Sequence, residues 1–428
     1  MIKFLIKGII RDKSRSLFPL TVITLTVSII IFTLGFVQGM FNSIFKDTAI
    51  LFTGHQKIVT IAYNEESQML PNDLAILDVN QTIDILNNQY PDYFWTPRIT
   101  FAGLLDIPDE NRETINQGPV LAKGLDLLNQ NSRQTEIWEL NKNLIYGELP
   151  SSSDEALISM KLATKLNVSI NDTVTFIGNT MYNAFTTYNF TIVGIFDLRK
   201  GQADSQMLIV DISGAQKALD MQNAASEILG YSHTLYYDDN HATSIRTKFN
   251  NINSDTTNIF SPIMLALRDS NDQLGTMVDI SKSFLIIFGA IFLIIVMIVL
   301  WNLGLMTGLR RYGEIGLRLA MGETKGQVYR SMVYESIIIG LIGTIIGTIF
   351  GISITYYVQE NGIDYSKVVE KMSLNSMAFP NIIYAKITPS MYYIGLIPGV
   401  IATAFGTMLA GLAIYKREMT QLFKELET

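Results

Sequence analysis

The chain has 428 residues, 48% of them hydrophobic and 17% charged, with a mean hydropathy of +0.25 and a formal net charge of −7. Soluble domains carry charge on nearer a quarter of their residues, so an ordinary soluble protein is excluded. There is no cysteine, which removes disulfides and thiolate metal sites, and the sequence pI of 5.2 argues against nucleic acid as a partner.

In chain order, residues 1–16 predict a short interfacial helix. Lys3, Lys7 and Arg11 recur every four residues, opposite Ile2, Leu5, Ile6 and Ile9. The first membrane span is expected over 17–40. It has a long apolar core and no convincing small-x-small cleavage site, so it reads as an uncleaved anchor and not a signal peptide.

Residues 41–282 mix element types. "HQKIVTIAY", "TVTFIG", "YNFTIVGIF" and "QMLIVDI" are short runs rich in β-branched and aromatic residues, expected as strands. "NQTIDILNNQ", "DEALISMKLATKLN" and "SGAQKALDMQNAA" have helical apolar spacing, with Asp154 and Glu155 expected to favour the start of the second helix. An α+β domain follows from this mixture. "YYDDNH" (Tyr236–His241) reads as a polar turn in preference to a metal site. The histidines, His55, His233 and His241, lack the H-x-x-x-H spacing of a zincin.

Three further spans are expected at 284–306, 334–358 and 392–415, the last interrupted by Pro398-Gly399. The third carries Gly343, Gly347 and Gly351 in strict four-residue register. Small residues let membrane helices approach closely, but the stripe alone does not name the partner helix. The fold class is thus a membrane protein of four transmembrane helices, with a large extracytoplasmic α+β domain between helices 1 and 2.

Orientation follows from Lys and Arg. Residues 1–16, 310–330 and 416–428 together hold 13 basic residues against six acidic ones, whereas residues 41–280 hold 15 basic and 29 acidic, a net of −14. Both termini and the segment 307–333 are therefore expected in the cytoplasm, with residues 41–280 and 359–390 outside.

The segment "RRYGEIGLRLAMGETKGQVYR" (Arg310–Arg330) separates two apolar spans and is longer than a simple reversal needs. Arg311, Glu314 and Arg318 share a helix face, with Glu314 and Arg318 at i,i+4, and Ile315 and Leu319 form an apolar neighbour face. Gly322 should end this helix. Thr324 and Gln327 fit a capping box for a second helix that continues into the third span. Glu335, at the edge of that span, is a functional candidate, since an acid there is costly unless paired or hydrated.

Extended through Gly351, this segment resembles the signature of the FtsX-like permease domain. Arg311, Glu314, Ile315, Gly316, Ala320, Gly322 and Glu335 occupy the family's positions. "VLAKGLDL", "YGELPSSSDEALISMKLATKLNVSINDTVTF" and "FTIVGIFDLRKGQADSQMLIVDISGAQKAL" resemble the periplasmic core domain of MacB-like permeases. "LGFVQGM…GHQKI" is most similar to the lipoprotein-releasing (LolC/LolE-type) branch. The tail "YKREMTQLFKELET" departs from the family's proline-alanine-arginine pattern. The resemblance makes 41–282 a MacB-like core domain and 283–428 an FtsX-like permease domain with a cytoplasmic tail.

The resemblance implies the permease subunit of a type VII ABC transporter. Arg310, Arg311, Glu314, Ile315, Arg318 and Gly322 would then couple to the ATPase, and Glu335 would transmit at the membrane edge. No Walker A motif occurs, so ATP and Mg are expected on a separate ABC ATPase subunit, and this chain is expected to have no cofactor, metal or catalytic residue of its own. A homodimer or a sister permease is implied, together with membrane lipid or lipoprotein and a periplasmic carrier or adaptor. Lipoprotein release from the inner membrane is the leading expectation. Alternatives are a MacB-like export subunit of a tripartite system and an FtsX-like regulator of a cell-wall hydrolase. No Ser/His/Asp or paired-carboxylate arrangement recommends a membrane enzyme.

Overall fold

A computed structural model describes residues 13–108, 113–200, 204–253, 257–270, 272–309, 312–365 and 382–416. The interfacial helix expected over residues 2–11 and the tail beyond 416 lie outside the described residues. The chain divides into two compact units, one within Met1–Phe41, Ile280–Ile363 and Ile382–Thr428, the other within Asn42–Asp279 and Asp364–Asn381.

The first unit is helical. Among the described residues, four helices are long and apolar enough to cross a membrane. Helix α1 (Lys13–Thr48) outruns the expected span and continues as a π-turn, Ala49–Thr53. The second and third spans lie in long helices, Asp272–Leu309 and Lys325–Asn361. The fourth begins with Met391–Ile394, passes through a π-segment at Ile397–Ala402 that contains Pro398 and Gly399, and ends as Thr403–Lys416. Proline removes an i→i−4 hydrogen bond, and the π-segment is how this helix absorbs the loss.

Close backbone approach organises this unit. A Cβ on Gly343 would come within 2.8 Å of Ile23, one on Gly347 within 2.7 Å of the Thr24 carbonyl, and one on Gly351 within 3.0 Å of Ile31. The stripe therefore packs against α1 of the same chain. Ser28 Oγ donates to the Gly347 carbonyl at 2.9 Å, and Thr24 Oγ1 to that of Gly343 at 3.4 Å. Such hydrogen bonds and van der Waals contact drive helix association where lipid removes the hydrophobic drive. Gly340 turns instead to the fourth span, 2.5 Å from the Gly399 carbonyl on the same measure. Ile23, Val27, Ile30, Ile31, Ile339, Met391 and Ala402 fill the space between these three helices.

The second unit is built on ten strands: β1 (Gln56–Thr60), β2 (Tyr93–Pro108), β3 (Thr114–Leu125), β4 (Leu144–Gly147), β5 (Glu155–Ser159), β6 (Thr173–Asn179), β7 (Phe185–Phe196), β8 (Met207–Asp211), β9 (Glu227–Ser232) and β10 (Pro262–Ala266). Their order is β10-β1-β9-β2-β3-β8-β5-β7-β4, with β6 bridging β2 and β7. That bridge closes a ring, β2-β3-β8-β5-β7-β6, and ring closure protects strand edges that would otherwise be open. The 16 residues of β2 make closure possible, because Tyr93–Arg98 pair with β9 while Leu104–Asp106 pair with β6. Phe101 and Phe176 meet edge-to-face at 5.0 Å inside it.

Two expectations are corrected here. "DEALISMKLATKLN" is not one helix. Glu155–Ser159 is a strand, parallel to β7 and antiparallel to β8, and only Met160–Leu166 is helical. Ala156, Leu157 and Ile158 are fully buried, and a strand with both faces covered carries the same apolar run as a buried helix. Ser159 caps the helix by accepting from Leu162 N at 3.3 Å, so the helix starts after the strand and not at Asp154 and Glu155, whose charge was expected to favour its start. "SGAQKALDMQNAA" likewise stops being helical at Leu219, and Ala224–Ala225 pair with Ile76–Leu77.

Gly347→Leu should destabilise the helical unit by about 1–3 kcal/mol through overpacking against Thr24 and Val27. Thermal unfolding in detergent measures this, and an unchanged midpoint would remove the α1 contact.

Candidate functional site

Helix α2, Tyr312–Ala320, is the first helix of the segment between the second and third spans, and α3 is the long helix Lys325–Asn361 that follows it. Between them Gly322 has φ +96°, a left-handed conformation that costs an L side chain. Gly322 N donates to the Leu319 carbonyl at 3.1 Å and Glu323 N to that of Arg318 at 3.1 Å. This is the Schellman pattern of helix termination. The apolar contact that usually accompanies it is replaced by an ion pair, Arg318–Glu323, at 2.9 Å.

Thr324 then starts α3. Its backbone N donates to Gln327 Oε1 at 3.0 Å, and Gln327 N donates to Thr324 Oγ1 at 3.4 Å, the reciprocal capping box read from sequence. Arg318 also donates to Ser331 Oγ at 3.5 Å, and Leu319 packs on Val328 and Met332. The short helix is thus fastened to the first two turns of α3 by one charge and one apolar cluster.

Arg310 and Arg311 lie outside the described residues. Glu314 and Ile315 are in α2, with only their backbone described. The structure therefore joins Arg318 and Gly322 of the expected set to Glu323, Thr324 and Ser331. Glu335 sits half-buried three turns into α3.

A second constellation, not anticipated from sequence, surrounds the end of α1 within the α+β unit. Arg98 on β2 is 2% exposed. Its Nε and Nη2 donate to Glu227 Oε2 at 2.9 and 2.6 Å. Nη1 reaches the Ile50 and Leu51 carbonyls at 3.4 Å, and Nη2 also bonds the Phe52 carbonyl. The guanidinium thus caps the π-turn that ends α1, where the helix dipole concentrates negative potential. Lys46 pairs with Glu139 at 3.0 Å and Asp47 with Lys200 at 2.6 Å one turn earlier.

Lys57 stands 3.6 Å from Glu227, and Lys123 is buried beside them. Burial pushes the Glu227 carboxyl up, but Arg98, Lys57 and Lys123 override it and hold it below the usual range. Burial, reinforced by the Arg98 charge, pushes the Lys123 ammonium down to about 7. His55, next in chain after the turn, accepts from Ser232 N through Nδ1 at 2.9 Å, and burial drops its pKa to about 4.

Residues 286–419 match the family model described as FtsX-like permease C-terminal. That stretch is an FtsX-like permease C-terminal domain. No curated protein matches the chain's sequence. Among solved structures, it is similar to the periplasmic region of MacB from Actinobacillus actinomycetemcomitans, at 13% identity and TM-score 0.33, covering 52% of this chain and 92% of that one. It is also similar to the extracellular domain of the noncanonic ABC-type transporter YknZ from Gram-positive bacteria, at 11% identity and TM-score 0.31, covering 49% and 98%.

The matched stretch contains α2, the turn and α3, so the domain match and the segment's geometry fall on the same residues. Arg98 and Glu227 lie outside it. They escaped the sequence reading because 129 residues separate them, and lone charges in strands read as solvated.

Arg98→Met should cost the protein roughly 3–5 kcal/mol, because it strands a buried carboxylate, and Arg98→Met/Glu227→Met should recover part of this loss. Urea unfolding of the full chain, followed by tryptophan fluorescence, gives both values. A pH effect follows from His55. Its folded pKa lies below the unfolded value of 6.5, so the unfolded chain binds the extra proton first as pH falls. Stability from this group is present above 6.5 and falls by roughly 3 kcal/mol on going down to about 4. The melting temperature of His55→Gln should therefore depend less steeply on pH over that window than that of the wild type.

Proposed function

We propose that this type VII ABC permease converts ATP hydrolysis by a separate ATPase subunit into movement of its α+β domain, and that the cargo is a lipoprotein released from the membrane. The observation that carries the coupling role is the α2–Gly322–α3 junction. A short helix tied by Arg318 to a 37-residue helix moves with it as one lever. A docked ATPase would push on α2, and α3 would carry the displacement into the membrane. There Gly343, Gly347 and Gly351 hold α3 against α1, which runs on into the turn capped by Arg98.

In this reading Arg310, Arg311, Glu314 and Ile315 contribute to the ATPase contact, and the segment faces the cytoplasm as its basic residues require. ATP and Mg belong to the ATPase. Two permeases, identical or sister chains, would sit over two ATPases. A periplasmic carrier would take the released lipoprotein.

Lipoprotein is favoured as cargo by the helix Asp272–Leu309. Ile286, Ile287, Ile291, Ile294, Ile295 and Ile298 are between 50% and 72% exposed along it, a set of branched-aliphatic side chains suited to acyl chains.

The test is reconstitution in nanodiscs with the neighbouring ATPase and a fluorescent lipoprotein. Glu314→Lys and Gly322→Pro should leave the α+β domain folded while cutting lipoprotein release at least about tenfold for each ATP hydrolysed, the equivalent of 1.4 kcal/mol. Unchanged coupling in both variants would remove the lever. Full coupling without lipoprotein release would keep the lever and reject the cargo.

A further inference from the structure

The α+β unit contains a cavity of about 650 Å3, within the size range of small-ligand sites. One wall is a face of the helix Val79–Gln89, where Asn80, Ile83, Asp84 and Asn87 follow helical spacing. Phe94 and Pro97 of β2, both half-buried, add an apolar patch. The loop after β3 supplies Asp126, Asn129, Asn131 and Ser132, and Gln216 and Asn223 complete the wall.

These walls are fixed without an occupant. Asp211 Oδ2 accepts from Leu127 N and Leu128 N, both at 3.0 Å, which anchors the start of the loop. Asn129 Oδ1 accepts from Asn131 N at 3.0 Å, and Ser132 Oγ donates to the Asp126 carbonyl at 2.5 Å. Across the cavity, Asn223 Oδ1 accepts from Asn80 N at 3.2 Å. A pre-shaped wall spares a ligand the cost of ordering it.

The lining chemistry is unusual for a pocket. Six carboxamides and two carboxylates face the space, with no lysine, arginine or histidine. Asp126 has Asn129 Nδ2 at 3.1 Å as its donor, and burial pushes its carboxyl up. An anionic ligand would meet two carboxylates and no cation. An amine would satisfy the carboxylates and leave the carboxamides unmatched. A ring bearing several hydroxyls offers donors and acceptors together, as carboxamides do, and its C–H face suits Phe94 and Pro97.

We propose that this cavity binds an uncharged oligosaccharide of about disaccharide size, with Asp84, Asn87, Asn131 and Asp126 accepting from or donating to its hydroxyls. The inference does not depend on ATPase coupling or on the cargo.

The experiment uses the full permease in nanodiscs, with N,N′-diacetylchitobiose, maltotriose and mannobiose as probes, read by saturation-transfer NMR and calorimetry. Saturable binding of at least one sugar is expected. It should weaken at least about tenfold in Asp84→Ala/Asn131→Ala, whose residues are exposed and whose melting temperature should match the wild type. Asn87→Ala should weaken it independently, and spermidine should not compete. Absence of binding by all three sugars, full binding by the double variant, or displacement by spermidine would each overturn the proposal.

Discussion

A guanidinium buried to 2% exposure has to find its full complement of acceptors, and Arg98 finds them in two places at once. One is the Glu227 carboxylate; the other is the row of carbonyls at Ile50, Leu51 and Phe52 that α1 leaves unsatisfied when it ends. The arginine therefore solves two problems with one charge. It terminates a helix of 36 residues inside a folded domain, and it welds that terminus to the central strands β2 and β9. Lys46–Glu139 and Asp47–Lys200 repeat the arrangement one turn earlier with more exposed partners.

The membrane unit is held together by different chemistry. Lipid supplies no hydrophobic drive between helices, so the contact between α1 and α3 relies on backbone proximity and hydroxyl-to-carbonyl hydrogen bonds. Every fourth residue of α3 is a glycine where α1 comes closest, and Thr24 and Ser28 answer with the hydrogen bonds. At the other end of α3, Gly322 makes the turn possible, and the Thr324 capping box satisfies the donors of the first turn. Arg318 then makes the turn stiff. Three devices of different kinds thus act along one helix.

Much of the membrane architecture was legible because local rules sufficed. Apolar length gives spans, a Gly followed by Thr-x-x-Gln gives a helix stop and start, and a four-residue glycine register gives a packing face. The α+β domain was less legible. Four strands were expected and ten are present in the main sheet. Tyr93–Pro108 carries Pro97 and Gly103, and Thr114–Leu125 carries Gly118 and Pro119, so propensity argues against two of the longest strands. They exist because pairing on both sides and closure of the ring outweigh local preference. "EALIS" was read as helix because its burial on both faces hides the alternation that marks a strand.

The sequence by itself determined the number of spans, the α+β character of the inserted domain, the helix–Gly–helix form of the segment between the second and third spans, and the family model that segment matches. Each is written in residues close together in the chain, where spacing alone carries the physics. Tertiary structure alone decided which helix the glycine stripe meets, that β2 closes a ring through β6, and that Arg98, Glu227 and the end of α1 share one buried site. These depend on residues far apart in sequence, whose charges and surfaces acquire partners only when folding removes water from between them.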